Sequence, residues 1–231
     1  MSGTLLARLR AEMSSEADAS LAAGMQAYMK STMPYHGLMS PKVRNITRRV
    51  FADEHYSACG DWRAAILELW RDARYREERY AAIALAADRR FAQCRTPEAV
   101  PMLEEMVVSG AWWDYVDEVA HLIGDMLRDH PKTMKPVMRA WSTDASLWKR
   151  RVAIICQNSF KRDTDLRLLY GNIKPNLSDR TFWIRKAIGW ALRAYAWTDP
   201  AEVARYVREH EALLSGLSRR EALKNVPADL R

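Results

Sequence analysis

The stretch that decides the fold is WDYVDEVA, residues 113–120, in which Trp113 precedes Val119 by six positions and small Ala120 follows it. This arrangement recurs. Aliphatic residues spaced 36, 35 and 34 positions apart stand at Ile83, Val119, Ile154 and Ile188. The residues that directly follow these aliphatic positions are mostly small: Ala84, Ala120, Ile155 and Gly189. The residues six positions before them are mostly aromatic: Glu77, Trp113, Trp148 and Phe182. The chain therefore contains a weak internal repeat.

The segments between these positions are typical of helices. Apolar residues fall at helical spacing, as in Met102, Leu103, Met106 and Val107, and there are no sustained runs of strand-like alternation. Helix starts are indicated at Ser40-Pro41, Thr96-Pro97 and Asp199-Pro200, and Ser218 and Glu221 have the spacing of a capping box. We therefore predict an all-α protein. A repeat of this length in such a chain predicts an α-solenoid of HEAT-like or armadillo-like helix pairs with a concave face.

The composition favours one folded, cytoplasmic protein. The chain has 231 residues, 48% of them hydrophobic, and no Gly/Ser/Pro-rich linker, so we expect a single domain over residues 1–231. The three scattered cysteines do not predict a disulfide framework. No signal peptide or membrane-spanning run is evident, so we expect a cytoplasmic protein with no membrane partner.

Positive charge is concentrated in one segment. Residues 149–193 contain eleven Lys or Arg, three Asp and no Glu, a net charge of +8, whereas the whole chain carries +7. Such a bias favours a polyanionic partner, with nucleic acid ahead of anionic lipid. A solvated basic surface without any partner is the alternative.

The usual catalytic motifs are missing from the sequence. There is no glycine-rich phosphate loop, no zinc-binding H-E-x-x-H, no C-x-x-C and no G-x-S-x-G. The five histidines lack metal-ligand spacing, and His121, near an acidic cluster, is better explained as a structural residue. We therefore expect no metal and no cofactor. An enzyme built on this chain would use carboxylates, aromatic rings and cations.

Trp113 and Asp117 form the most suggestive pair. They are four residues apart, so on a helix both side chains lie on one face. One interpretation makes Trp112 and Trp113 core residues and places Asp117 on a solvated face or in an ion pair with arginine. The other makes them an aromatic wall beside a carboxylate, a site suited to a positively charged group within a polyanion. Spacing alone does not decide between them.

Longer motifs resemble a known family. WWDYVD (112–117), LWKRRVAIICQ (147–157), FWIRKAIGWALRAY (182–195) and the loop MPYHGLMSPKVR (33–44) resemble the AlkD-type glycosylases of the DNA alkylation repair family, from about residue 25 to 224. The resemblance implies excision of N3- and N7-alkylated purines from duplex DNA. It places the catalytic carboxylate at Asp117, flanking aromatics at Trp113 and Trp190, and the active-site arginine at Arg151. Met39 and Trp183 depart from the family pattern.

Further residues are candidates for contact with DNA. We expect Arg151 to hold a flanking phosphate and a group of basic residues to contact the backbone, namely Lys149, Arg150, Arg185, Lys186 and Arg193. Tyr28 is a candidate contact from the N-terminal region, although a packing role is the favoured alternative. We expect a monomer acting on duplex DNA that contains alkylated purines. The rival hypotheses are a catalytically inactive module that binds damaged or distorted DNA, and a protein-interaction scaffold.

Overall fold

The structure, a computed structural model, describes residues 4–231 and divides into two compact units, Met1–Arg95 and Thr96–Arg231. Every regular element in the described part of the chain is a helix, which confirms the all-α prediction. None of the helices within residues 4–231 has the length and apolar character needed to cross a bilayer. The single domain over residues 1–231 stays a prediction.

The first unit contains five α-helices: α1 (Leu5–Ser15), α2 (Ala19–Met29), α3 (Ser40–Val50), α4 (Cys59–Arg71) and α5 (Arg76–Ala87). A 3-10 helix, Arg89–Cys94, follows them. Helix α4 packs against α5, and α3 packs against α1 and α5. The apolar faces of these helices meet in a core that includes Leu9, Ile46, Ile66 and Leu85, none of which is exposed.

The second unit contains eight α-helices: α6 (Val100–Gly110), α7 (Trp113–Asp129), α8 (Pro131–Trp141), α9 (Leu147–Ile155), α10 (Leu166–Ile173), α11 (Phe182–Ala196), α12 (Pro200–Glu209) and α13 (Gly216–Ala222). Short 3-10 helices occur at Pro97–Ala99, Lys161–Asp163, Lys174–Asn176, Leu223–Asn225 and Ala228–Leu230. Helix α9 packs between α7 and α11. These three helices begin 34 or 35 residues apart, so the repeat in the sequence corresponds to neighbouring helices of an α-solenoid.

Two glycines allow the close packing of these helices. A β-carbon added at Gly124 of α7 would lie 2.4 Å from the carbonyl oxygen of Cys156, at the end of α9. One added at Gly189 of α11 would lie 2.5 Å from the β-carbon of Glu221 on α13. Both distances are impossible for a larger residue without a shift of the neighbouring helix. Gly189 is the small residue that the repeat pattern singled out.

The four aliphatic residues of the repeat are buried, with Val119, Ile154 and Ile188 at most 1% exposed and Ile83 at 5%. The positions six residues earlier differ more. Trp148 is 9% exposed and Glu77 is fully buried, but Phe182 is 49% exposed. The aromatic position therefore does not cover a junction in every unit of the repeat.

The predicted helix starts are only partly right. Asp199 caps α12 by accepting from Glu202 N at 2.9 Å. The capping box predicted at Ser218 and Glu221 is wrong. The N-cap of α13 is Ser215, whose hydroxyl oxygen accepts a hydrogen bond from Ser218 N at 3.0 Å. Ser218 lies inside the helix and donates to the carbonyl of Arg185 at 2.9 Å, so its hydroxyl joins α13 to α11.

A disulfide in the first unit corrects the expectation from cysteine spacing. Cys59, in the first turn of α4, is bonded to Cys94, the last residue of the 3-10 helix that follows α5. The 35-residue separation gave no sign of the bond, because helix α5 brings the chain back to the start of α4. Cys156 is free and buried.

Candidate active site

A buried ion pair joins the neighbouring helices α7 and α9. Asp117 lies in the second turn of α7, and Arg151 lies in the second turn of α9. The arginine Nε donates to Asp117 Oδ1 at 2.7 Å, and its Nη2 donates to Oδ2 at 2.8 Å. Two parallel hydrogen bonds fix the plane of the carboxylate as well as its position, which the point charge of a lysine would not do.

Both members of the pair are largely removed from water. The side chain of Arg151 is 4% exposed and that of Asp117 is 15% exposed. Burial raises the pKa of Asp117 above its ordinary value, because less water is available to stabilise the carboxylate. The hydrogen bonds and the charge of Arg151 oppose this rise. Each charge therefore supports the other, and the loss of either would leave its partner buried without a counter-ion.

Helix α11 completes the surroundings of the pair. The Nη1 of Arg151 donates to the carbonyl oxygen of Trp183 at 2.8 Å. The guanidinium carbon lies 5.8 Å from the ring centre of Trp183 and 5.9 Å from that of Trp190, both within the range of a cation–π contact. The structure thus brings together three of the four predicted catalytic residues, Asp117, Arg151 and Trp190, from three adjacent helices.

The fourth predicted residue, Trp113, is the first residue of α7 and is partly exposed. It lies one helical turn before Asp117, so the two side chains share one face of α7. This placement fits neither a fully buried core residue nor a freely solvated one.

An aromatic cluster supports the site from α9, α11 and the start of α7. Ring centres lie 5.5 Å apart for Trp112 and Trp183, 5.8 Å apart for Trp148 and Trp183, and 6.3 Å apart for Trp112 and Trp148. Phe182 adds an edge contact to Trp183 at 5.0 Å. Trp183 departs from the family pattern, yet its ring contacts three other aromatic rings and its carbonyl oxygen accepts a hydrogen bond from Arg151.

Most of the predicted DNA-binding cations are held in ion pairs within the second unit. Lys149 binds Glu104 and Asp144, and Arg150 binds Asp179, at distances between 2.5 and 2.8 Å. The charge-assisted hydrogen bond from Lys149 lowers the pKa of Asp144. The side chains of Lys149 and Arg150 are 12% and 18% exposed, so these ion pairs are only partly accessible to solvent.

A single carboxylate organises the remaining cations. Glu221 of α13 accepts from Lys186 at 2.9 Å, from Arg193 at 2.9 Å and from Lys224 at 2.6 Å. Burial by itself would raise the pKa of Glu221, but the hydrogen bonds from Lys224 and Lys186 outweigh it and lower that pKa to about 2. The nearby Arg185 has a buried Nε without a hydrogen-bond partner among the described residues. Sequence reasoning missed Glu221, which it assigned to a capping box.

Comparison with known proteins places the chain in a family. The family model described as DNA alkylation repair enzyme matches residues 9–226. The chain belongs to the DNA alkylation repair family. No curated protein matches it.

Two solved structures resemble this member of the DNA alkylation repair family. A predicted DNA alkylation repair enzyme from Enterococcus faecalis is 30% identical, with a TM-score of 0.83, over 92% of this chain and 97% of that one. The protein smu.31 from Streptococcus mutans UA159 is 16% identical, with a TM-score of 0.62, over 80% of this chain and 93% of that one. The second likeness concerns the fold alone. Family membership supports a role in the repair of alkylation damage and DNA as the partner.

In this family member three large hydrophobic side chains of the first unit are exposed, namely Leu21, Tyr28 and Met39. Tyr28, in the last turn of α2, is 78% exposed, so the packing role favoured from the sequence is wrong. Met39, which precedes α3, is 55% exposed. The role of Tyr28 as a DNA contact stays a prediction, as do those of the basic residues.

The loop that resembles the family's N-terminal motif is fixed by a buried carboxylate. Glu77 of α5 is fully buried and accepts three backbone N–H groups, from His36 at 3.1 Å and from Gly37 and Leu38 at 3.0 Å each. Gly37 has a φ of +82°, and an added β-carbon would lie 1.9 Å from the carbonyl oxygen of Asp18. The adjacent Glu78 is also fully buried and binds Arg10 at 3.1 Å. This loop is therefore rigid where it enters α3.

The described residues contain no group of three His, Cys, Asp or Glu side chains arranged to hold a metal ion. His121, four residues after Asp117 on α7, is exposed. The chemistry that the site can supply is that of a fixed carboxylate, a paired guanidinium and flat aromatic rings.

Proposed function

We propose that the protein is a DNA glycosylase that hydrolyses the N-glycosidic bond of cationic N3- and N7-alkylated purines in duplex DNA. The observation that supports this most is the carboxylate of Asp117, held by two hydrogen bonds from Arg151 beside the ring of Trp190 in a member of a DNA alkylation repair family. A carboxylate fixed in this way suits the stabilisation of a positive charge that develops during a reaction.

The substrate supplies most of the reactivity. Alkylation at N3 or N7 makes the purine cationic, so the base becomes a good leaving group. As the bond from C1′ to the base nitrogen breaks, its electron pair goes to the base and positive charge develops on the deoxyribose, much as in glycoside hydrolysis. Water then forms a bond from its oxygen to C1′ and loses a proton to the solvent, which gives a neutral free base and an abasic deoxyribose. Asp117 stabilises the sugar cation and orients the water.

Arg151 has a different role from the phosphate contact that we expected. Three of its N–H groups bind Asp117 and the carbonyl of Trp183, and its side chain is 4% exposed. We therefore assign it as a positioning residue that holds the carboxylate ionised and in one orientation. Trp113 and Trp190 contribute π faces that attract the cationic nucleotide and its sugar, worth about 0.5–2 kcal/mol each.

Binding to duplex DNA rests on the basic residues of α9 and α11. Lys149, Arg150, Lys186 and Arg193 exchange their carboxylate partners for phosphates, while Arg185 adds its charge nearby. Neutralisation of phosphates releases counter-ions, so affinity should decrease steeply as salt increases. Tyr28 adds a contact from the first unit. In this proposal the protein acts as a monomer without a metal or cofactor.

One observation favours a second candidate. The ion pair between Asp117 and Arg151 satisfies both charges, and such a pair also suits a purely structural role. In that case the protein would bind damaged or distorted DNA without excising a base.

A base-release assay separates the two candidates. The protein is incubated with a duplex that contains N7-methylguanine, and released base is quantified by mass spectrometry, with and without excess chelator. We expect release in both conditions, release of cationic adducts larger than methyl, and none of uracil or hypoxanthine. Binding without release supports the second candidate. Efficient uracil release would contradict the mechanism, because a neutral base leaves poorly without a shaped pocket.

A further inference from the structure

An open cleft of about 760 Å³ lies in the second unit, on the α11 side of the candidate active site. Its walls come from the segment after α9, the C-terminal half of α11 and the 3-10 helix Leu223–Asn225. Trp190, which lies beside Arg151, is also one of the residues that line the cleft. The cleft therefore adjoins the site through a shared ring.

The lining of the cleft is strongly cationic. It includes Lys161, Arg193 and Lys224 and no carboxylate. Glu221, outside the lining, binds both Arg193 and Lys224. These two cations are thus held in place before any ligand binds. Glu221 also binds Lys186, so its single negative charge is shared among three cations and does not neutralise them. The arrangement suits a ligand with more than one negative charge.

Lys161, which also lines the cleft, has an unusual backbone conformation. Its φ is +54°, in the left-handed region that lysine rarely adopts. The carbonyl of Lys161 accepts from both the backbone N and the hydroxyl of Thr164, at 3.2 and 2.8 Å, and this holds the turn. Lys161 is exposed and forms no ion pair within the described residues 4–231. Its charge is therefore available to a ligand.

Trp197 gives the cleft a flat apolar surface. This tryptophan follows the last turn of α11 and is 79% exposed, the largest exposure among the large hydrophobic residues of the described chain. An indole left in water contributes nothing to the core, so packing does not account for it. Aromatic faces of this kind, set among cations, are the means by which proteins bind unpaired nucleotides.

We propose that this cleft binds an unpaired nucleotide of the DNA next to the lesion, with the base stacked on Trp197 and the phosphates held by Lys161, Arg193 and Lys224. The proposal rests on the proposed function for its DNA substrate and adds a subsite to it. The shared ring of Trp190 places the subsite beside the damaged nucleotide. Excision would then be coupled to local opening of the duplex.

The test compares binding to a duplex that has one unpaired nucleotide with binding to the fully paired duplex, by fluorescence anisotropy. Trp197→Ala should weaken binding to the unpaired site about 5- to 150-fold, the range that base–aromatic stacking spans, with little effect on the paired duplex. The matched control is Leu213→Ala, which removes another exposed apolar side chain, 60% exposed, outside the cleft. Thermal melting verifies that both variants are folded.

A second pair of variants tests the charge. Lys161→Ala should reduce the salt dependence of binding to the unpaired site by about one counter-ion. Arg162→Ala removes a neighbouring exposed cation that does not line the cleft, and should leave the preference for the unpaired site unchanged. Fluorescence of 2-aminopurine at the unpaired position should decrease with wild type and not with Trp197→Ala.

The outcomes distinguish this proposal from the proposed function. Equal affinities of Trp197→Ala and Leu213→Ala for the unpaired site would overturn the subsite, whatever the glycosylase assay shows. Loss of the preference in Trp197→Ala together with no base release by wild type would support the subsite and contradict the glycosylase. A wild-type dimer in light scattering that Trp197→Ala abolishes would assign the cleft to a second copy of the chain and overturn the proposal.

Discussion

Replacement of Asp117 by asparagine is the sharpest perturbation of the proposed mechanism. The side chain keeps its size but loses its charge, so it no longer stabilises a cation at the sugar. Loss of one preorganised group of this kind typically reduces the rate by two to three orders of magnitude. We expect base release by Asp117→Asn to decrease by at least a hundredfold. DNA binding should be retained or tightened, because a negative charge leaves the site.

The same substitution should also destabilise the protein, and the structure indicates by how much. Arg151 donates to both carboxylate oxygens, and an asparagine offers one oxygen and one N–H group, so one of the two hydrogen bonds is lost. Removal of a partner from a buried pair costs about 3–5 kcal/mol. With one bond retained we expect the lower end, about 3 kcal/mol, which corresponds to a decrease in Tm of roughly 6–12 °C for a chain of this size.

A control separates the loss of catalysis from the loss of stability. Asp165→Asn removes a carboxylate of the same unit that pairs with Lys135 at 2.7 Å and caps Leu168 N at 3.0 Å, outside the candidate site. It should lower the Tm but leave the rate unchanged. Single-turnover release is measured well below the melting temperature of all three proteins. A wild-type rate in Asp117→Asn would refute the assignment of the carboxylate, and a slow Asp165→Asn would show that stability governs the rate.

Three further predictions concern titration, the disulfide and the loop. Burial raises the pKa of Asp117, so as pH decreases the carboxylate should become protonated, and base release should be lost, at a higher pH than for an ordinary aspartate. A pH–rate profile with its acid limb at or below 3.8 would contradict this prediction. Reduction of the Cys59–Cys94 bond should cost the first unit about 4 kcal/mol, estimated from its 35-residue separation, and Cys59→Ser should melt like the reduced protein, with no further effect of reductant. Glu77→Gln should cost about 3 kcal/mol, because one of three backbone donors would face an amide group, whereas the exposed Glu68→Gln should be neutral in the same urea titration.

The repeat was the part of the fold that the sequence predicted best. Its buried aliphatic positions and the close approach at Gly189 depend on neighbouring helices with similar internal spacing, and local patterns report that directly. Helix starts were less predictable. The spacing of Ser218 and Glu221 predicts that the Ser218 hydroxyl caps a helix, but this hydroxyl donates to the carbonyl oxygen of Arg185 on α11 instead. A local sequence pattern carries no information about that distant carbonyl.

The site was predictable as a set of residues and unpredictable as a network. The resemblance singled out Asp117 and Arg151, but not that they bind each other, because the contact forms between helices that are 34 residues apart. Ion pairs of the basic residues depend in the same way on tertiary packing. The sequence offers one indirect sign of the three ion pairs of Glu221, namely that the cations of α11 have no acidic residue close to them in the sequence. The disulfide had no local signal at all.

The two residues of the central ion pair occupy the same rank in their helices. Asp117 is the fifth residue of α7, and Arg151 is the fifth residue of α9. Side chains at the same position in adjacent helices of a solenoid lie side by side in rows, so this ion pair links α7 and α9 at the same level. An insertion in the connections between helices would leave this ion pair intact. One extra residue within α7 after Asp117, or within α9 after Arg151, would rotate that side chain by about 100° relative to the buried face of its helix and break the ion pair. The tolerance of the protein to changes in length should therefore alternate along the chain, high in the connections and low in α7 after Asp117 and in α9 after Arg151.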